Sequence, residues 1–185
     1  ATVLYSHYRT EHLLVHHRYV GTPRDSVTAR YNQGFHAYFL RIILETMYRA
    51  MGFKRVILCI KDARHNTMQG RFGFGPDANE IARSFRFPLS FTPDIFHAAT
   101  SKGVDLMISD IDDPKIAGRI PDWYRKAVPG HSFVLFPLNI KGNPVAMIYA
   151  DKEQAGDIVM PEKELSLLRT LRNQAVLAIR QKQIG

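Results

Sequence analysis

The feature that most constrains the fold of this chain is its closing third. Two apolar runs, Ser132 to Ile140 and Val145 to Asp151, flank a Lys141-Gly142-Asn143 turn, and a long helix follows from near Pro161. The turn residues suit positive φ, and Pro144 limits the ladder at the start of the second strand. The helix carries Pro161 in its first turn and Glu162 and Glu164 against the dipole. Its apolar stripe is Leu165, Leu168, Leu171, Ala175 and Ile179. Strand, turn, strand and terminal helix in this order close a mixed antiparallel α+β domain. No catalytic motif accompanies them, so the pattern points to a binding or sensing module before an enzyme.

The 185 residues suffice for one domain with a sizeable core and flanking segments, whereas two independent domains would be cramped. The longest wholly apolar run, Val145 to Ala150, falls far short of the ~20 residues needed to cross a bilayer. Ala1 to His7 carry no initiator Met and no basic segment leading into an apolar one, so no secretory signal is expected. The chain reads as a piece of a longer protein. Cys59 is its one cysteine, which excludes an internal disulfide framework, a multi-thiolate zinc cluster and any mechanism needing a resolving thiol. A reducing, cytoplasmic setting is expected. The formal charge of +8 permits attraction to anions, but Lys and Arg are scattered among acids without a long basic run. Neither nucleic acid nor membrane is the expected partner, and weak nucleic-acid binding through the basic surface stays only as an alternative.

Residues 1–25 read as a linker containing a short helix at Glu11 to Val20, broken by Gly21-Thr22-Pro23. From Ser26, helical spacing of Phe35, Tyr38, Phe39, Ile42, Ile43 and Met47, stopped at Gly52, predicts one amphipathic helix of about seven turns. Arg55 to Lys61 and Thr67 to Phe74 read as paired strands across an Asp62 to Asn66 turn. A short helix is expected over Pro76 to Phe85, then a brief extended piece at Phe87 to Leu89. Asp94 to Ser101 reads as a helix, Leu106 to Ile108 as a strand, and Lys115 to Arg119 and Asp122 to Val128 as short helical pieces.

The leading helix ending Met47-Tyr48-Arg49-Ala50-Met51-Gly52-Phe53, the strand Arg55 to Ile60, and above all Phe136 to Asp151 with its Lys-Gly turn and Tyr-Ala-Asp ending carry a family resemblance. Over about Phe35 to Gln183 the chain resembles a GAF domain, a small-molecule-binding and dimerisation module of signalling proteins. Ile108 to Lys115 and Ile120 to Tyr124 are similar to GAF modules that follow an HDOD domain in bacterial signal-transduction proteins. The resemblance implies a central antiparallel sheet of five or six strands, terminal helices on one face and a ligand pocket on the other, under the segment from Gly75 to Gly130. It implies a sensory domain over residues 26–185, a small-molecule ligand, homodimerisation through the terminal helices and an upstream domain in the same polypeptide. No cofactor is specified. A structural homodimerisation module with no ligand remains the alternative. The Asn-Lys-Phe-Asp-Glu signature of cyclic-nucleotide-binding members is missing, Cys59 sits mid-strand instead of in a bilin-binding loop, and one cysteine is too few for the sulfoxide reductase members.

Within that frame, Phe85, Phe96, Trp123 and Tyr124 are candidate pocket walls; each by itself is more often ordinary core, and one or two of the group are expected to line the pocket. Tyr149 joins them if its strand faces that way, which a one-residue slip would reverse. Arg71 is a candidate counter-ion for an anionic ligand. It lies in Gly70-Arg71-Phe72-Gly73-Phe74-Gly75, which lacks the Gly-Lys-Ser/Thr ending of a phosphate loop and reads as a strand whose small residues admit another backbone. Asp110, with Asp112 and Asp113, is a candidate for a polar ligand group, but the EF-hand Gly and Glu positions hold Lys115 and Pro121, so a turn with Asx-type bonds is the default. His12, His16 and His17 have helical spacing but neither zinc-protease order, and a solvated helix face is expected. Cys59 is expected to be buried and inert, and no catalytic or metal-ligating set can be named.

Overall fold

A computed structural model describes residues 17–19, 35–158 and 161–184. The proposed start of the leading helix near Ser26 lies outside them, as do His12 and His16; His17 sits exposed in a single turn, His17–Tyr19.

Helix α1, Phe35–Met51, turns Leu40, Ile43, Leu44 and Met47 inward, the spacing at which one helix face meets a sheet. Glu45 lies between two arginines on the same helix, 3.6 Å from Arg41 and 2.9 Å from Arg49. Strand β1, Arg55–Asp62, is buried on both faces over its first five residues. That is why its sequence is a continuous apolar run rather than an alternating one. Strand β2, Thr67–Phe74, pairs antiparallel with it. The ladder slips by one between Leu58, opposite Phe72, and Cys59, opposite Gly70, so Arg71 is the extra residue of a bulge.

Next come α2, Ala78–Ser84, and the edge strand β3, Arg86–Pro88. Helix α2 lies hard against β2: a Cβ at Gly70 would stand 2.3 Å from the carbonyl oxygen of Ala82. The glycines of this strand admit another backbone, and the Gly70 N–H donates to Phe85 O at 2.8 Å. Helix α3, Ile95–Lys102, is capped by the Asp94 carboxylate, which accepts from His97 N at 2.8 Å. Strand β4, Leu106–Ile108, a 3₁₀ turn at Ala117–Arg119 and helix α4, Asp122–Ala127, follow.

Strands β5, Ser132–Ile140, and β6, Asn143–Lys152, form the closing hairpin. Its loop is two residues rather than three, because Asn143 already pairs with Ile140. Lys141 and Gly142 both have positive φ, 51° and 79°, as a tight hairpin turn with the twist of its strands requires. Pro144 does not hold the ladder back; it pairs opposite Asn139, just past a register shift at Leu138/Asn139. Helix α5, Glu162–Ile184, ends the described chain.

The six strands run in the order β3-β2-β1-β6-β5-β4, with every pairing antiparallel. Two separate cores result. Alternate residues of the central strands, Val56, Leu58, Val134, Phe136, Ile148 and Ala150, meet α1 and α5. Their neighbours, Ile57, Cys59, Phe133, Leu135, Met147 and Tyr149, meet α2, α3 and α4. The expected α+β arrangement, terminal helices on one face and the middle segment on the other, is the one found. Burying an aliphatic or Phe side chain of either core contributes roughly 1.5–3 kcal/mol, so the sheet is held from both sides.

Candidate functional site

The face opposite the terminal helices is built from rings. Phe85, at the end of α2, lies 4.9 Å from Tyr149 of β6 and 5.1 Å from Trp123 of α4, centroid to centroid. Phe96 of α3 stands 4.9 Å from Trp123, and Phe87 of β3 stacks on Trp123 at 5.8 Å with the planes 9° apart. Phe133 of β5 completes the set, 4.8 Å from Tyr124. Such ring pairs contribute about 0.5–1.5 kcal/mol each beyond area burial. Rings of residues from α2, β3, α3, α4, β5 and β6 therefore depend on one another's placement.

A polar seam borders the rings. Tyr149 donates its hydroxyl proton to Asp151 Oδ2 at 2.7 Å, and its oxygen is 3.0 Å from the Tyr124 hydroxyl. The Tyr124 hydroxyl also lies 3.1 Å from Gly130 O, to which it donates. Asp151, on the same face of β6 as Tyr149, accepts from Arg55 Nε through both oxygens, at 3.1 and 2.9 Å. Arg55 and Asp151 are 3% and 0% exposed, so the pair is a buried one. Register explains the meeting: Arg55 opens β1 directly opposite Asp151 at the far end of β6. Burial pushes the Asp151 carboxyl upward, against the opposing pull of Arg55 and the Tyr149 hydrogen bond. Both tyrosine hydroxyls are also pushed up by burial. Arg55 Nη2 is buried without a hydrogen-bond partner.

The sequence-derived candidates divide accordingly. Phe85, Phe96, Trp123 and Tyr149 come together, and Tyr124 with them; the facing of Tyr149, open in the sequence, is toward the rings. Arg71 does not join them: it is the exposed residue of the β2 bulge. Asp110 stands apart too, its carboxylate accepting from Asp112 N at 2.9 Å while Asp113 accepts from Lys115 N at 2.9 Å. These are the Asx-type bonds expected of a turn. Arg125 of α4 clips onto the same loop, 2.7 Å from Asp112 Oδ1 and 2.9 Å from Ile111 O.

Sequence reasoning missed Phe87, Phe133 and the Arg55–Asp151 pair. A signal for the pair existed, since an arginine opening an otherwise apolar central strand needs a carboxylate somewhere along a neighbour. A cleft of about 730 Å³ opens elsewhere, between the end of α1 at Tyr48 and Arg49 and the end of β6 at Lys152 and Glu153. None of the candidate residues lines it. Cys59 is fully buried and burial pushes its thiol far up, so it is no nucleophile. Among the described residues no group of three or more His, Cys, Asp or Glu could hold a metal ion, and no helix is long and apolar enough to cross a membrane.

Comparison with solved structures places this architecture. The chain is similar to the GAF domain/HD domain protein from Geobacter sulfurreducens, at a TM-score of 0.68 and 11% identity, over 82% of this chain and 95% of that one. It is similar to the GAF domain of a phosphoenolpyruvate-protein phosphotransferase from Acinetobacter, at 0.64 and 13%, over 99% and 93%. It is also similar to free methionine-R-sulfoxide reductase from Neisseria meningitidis, at 0.54 and 18%, over 82% and 84%. The fold is that of a GAF domain. No curated protein sequence matches the chain. The fatty acid desaturase family model matches residues 1–88, under half of the 185. Within that span residues 35–88 supply α1, β1, β2, α2 and β3, all parts of the GAF architecture.

Proposed function

We propose that this chain is a non-catalytic sensory module of a signal-transduction protein. It binds a small molecule on the ring-lined face and passes the change, through α1 and α5, to an output domain elsewhere in the same polypeptide. The observation that carries this reading is the division of the core by one sheet. A ligand entering among Phe85, Phe96, Trp123 and Tyr149 must displace close-packed rings resting on β1, β5 and β6. The opposite faces of those strands seat α1 and α5. Packed interiors respond to such intrusion by switching arrangement rather than by deforming smoothly. A signal results only from a ligand that favours one arrangement over another. Similarity to GAF domains of an HD domain protein and of a phosphotransferase supports the assignment to regulation.

Trp123 is the one tryptophan, so its emission reports on the site directly. Titration with a metabolite and nucleotide panel, read by Trp123 fluorescence and thermal shift, is expected to find a ligand that changes both. Native mass spectrometry of the freshly purified chain is expected to show a co-purifying molecule. No response from the panel together with no bound species overturns the reading.

One observation favours a second reading. Phe85, Phe96 and Tyr149 are 0% exposed, so the ring face is closed by its own side chains. The chain would then be a homodimerisation module with no ligand, joined through the terminal helices. Light scattering separates the two: a dimer without any ligand supports this reading, and a monomer at high concentration removes it.

A further inference from the structure

Of the rings that build the face opposite the terminal helices, Trp123 alone reaches solvent to any extent. Phe85 and Phe96 are 0% exposed and Phe87 1%, while Trp123 is only half-buried. The helix that carries it is fixed independently of it. Ile120, Tyr124 and Val128, four residues apart along one side of α4 and its ends, are all buried. The Tyr124 hydroxyl is tied to Gly130 O and Tyr149, and Arg125 binds Asp112 and Ile111 O from the outer side. Trp123 has no such tie: no acceptor among the described residues takes its indole N–H, and packing alone holds it. A turn about its side-chain bonds therefore moves Trp123 outward with α4 left in place, whereas the other rings have no free surface to turn into.

The space that Trp123 fills has a definite shape. Phe87 lies nearly parallel to it, the planes 9° apart and the centroids 5.8 Å apart. Phe85 meets it at 74° and 5.1 Å, and Phe96 at 49° and 4.9 Å. With the indole turned out, the slot is the size of one fused-ring system, with a stacking surface at Phe87 and two further rings at its sides. A group that replaces the indole recovers these contacts only if it is flat and aromatic, because stacked and edge-to-face arrangements depend on the ring quadrupole. All three walls are phenylalanines and offer no counter-charge, so the group must also be uncharged.

We propose that Trp123 is the gate of the ring-lined face, and that the ligand of that face is a flat, uncharged bicyclic aromatic molecule that takes the place of the indole. The inference rests on the reading of this face as a ligand site. Entry exchanges one ring system for another, so the core beneath stays filled. Occupancy then shows at the surface as an indole turned into water.

The test uses the folded chain labelled with 5-fluorotryptophan, which gives a single fluorine resonance because Trp123 is the one tryptophan. Titration with indole and with quinoline is expected to move that resonance saturably toward its position in the urea-unfolded chain, with a solvent isotope shift appearing. Both should bind about 10-fold or more tightly than cyclohexanol, which is neither flat nor aromatic. In Trp123→Ala the slot is always open, so the same probes, followed by amide NMR shifts, should bind about 10-fold or more tightly than to the parent. Trp123→Leu, a smaller loss of packing, should fall between the two and guards against an Ala variant that does not fold. Binding to the variants with none to the parent would make Trp123 a fixed piece of core and overturn the proposal. Equal affinity of parent and variants, equal affinity for cyclohexanol, or no binding of either aromatic probe also overturns it. A probe that binds while the fluorine resonance stays in place removes the gate but leaves the ring-lined face as a ligand site. Failure of the sensory reading itself is read separately, from the absence of any bound species in native mass spectrometry and in the wider panel.

Discussion

The Tyr149 hydroxyl donates to Asp151 Oδ2 at 2.7 Å, two residues along one strand and on one face, at the point where that carboxylate also holds buried Arg55. The two bonds differ in what their removal leaves behind. Asp151→Ala strands a buried guanidinium and is expected to cost about 3–5 kcal/mol. Tyr149→Phe loses one hydrogen bond and should cost about 0.5–1.5 kcal/mol. Urea unfolding of both variants checks this. In the Arg55→Met/Asp151→Leu double variant the cost should fall below the sum of the singles, since no buried charge is orphaned; strict additivity would show that the pair is not coupled.

Acid stability should depend on carboxylates at the surface. Asp62 is held below the ordinary carboxylate range chiefly by its hydrogen bond with His65, 2.6 Å away, and Asp112 by its bond with Arg125. A depressed folded pKa means the stabilisation is present above the unfolded value of about 3.9 and is lost as pH falls through the folded pKa. Asp62→Asn and Asp112→Asn should each lower stability near neutrality, and the deficit against the parent should disappear in strong acid. A deficit that grows on acidification would reverse the sign assigned here.

Cys59 is opposite Met147 on one neighbour and Gly70 on the other, fully buried, with its thiol pushed far up. It should resist iodoacetamide at pH 8 in the native chain and react fully in urea. The native rate should follow global unfolding as denaturant is raised. Rapid labelling of the folded chain would mean that β1 opens locally.

Gly70→Ala forces a Cβ to within 2.3 Å of a helix carbonyl, so α2 must move or the strand must distort. A loss of about 1–3 kcal/mol is expected by denaturation, in line with other overpacked interiors. Gly142 has open space around it, and its Ala variant should lose only the roughly 1–2 kcal/mol of a positive φ in a residue with a Cβ.

How much of this was legible in the chain varies by element. Thr67–Phe74 and Leu106–Ile108 agree residue for residue with the runs of apolar and extended-favouring side chains that mark them. The β5–β6 hairpin was legible through its turn residues, but its loop came out one residue shorter because only Lys141 and Gly142 need positive φ. Phe85, Phe96 and Trp123 were recognisable as candidate walls by type and region. Arg71 was placed by composition alone, and no pattern in Gly70 to Gly75 announces a bulge that turns it out to solvent.

Local chemistry therefore determined the elements, their order and the α+β class, because helix caps, turn glycines and apolar periodicity act over a few residues and show in the sequence directly. The closing strand, turn, strand and helix were determined in this way. Which side chains meet was decided only in three dimensions. Arg55 and Asp151 are 96 residues apart, and only the antiparallel register of β1 on β6 sets them opposite each other. The same register turns Tyr149 to the rings instead of the helices, since side chains of a strand alternate faces and a slip of one residue would exchange them. That the outer edge of β5 past Leu135 has no β4 partner is likewise a consequence of where β4 stops, a property of the assembled sheet and not of any segment within it.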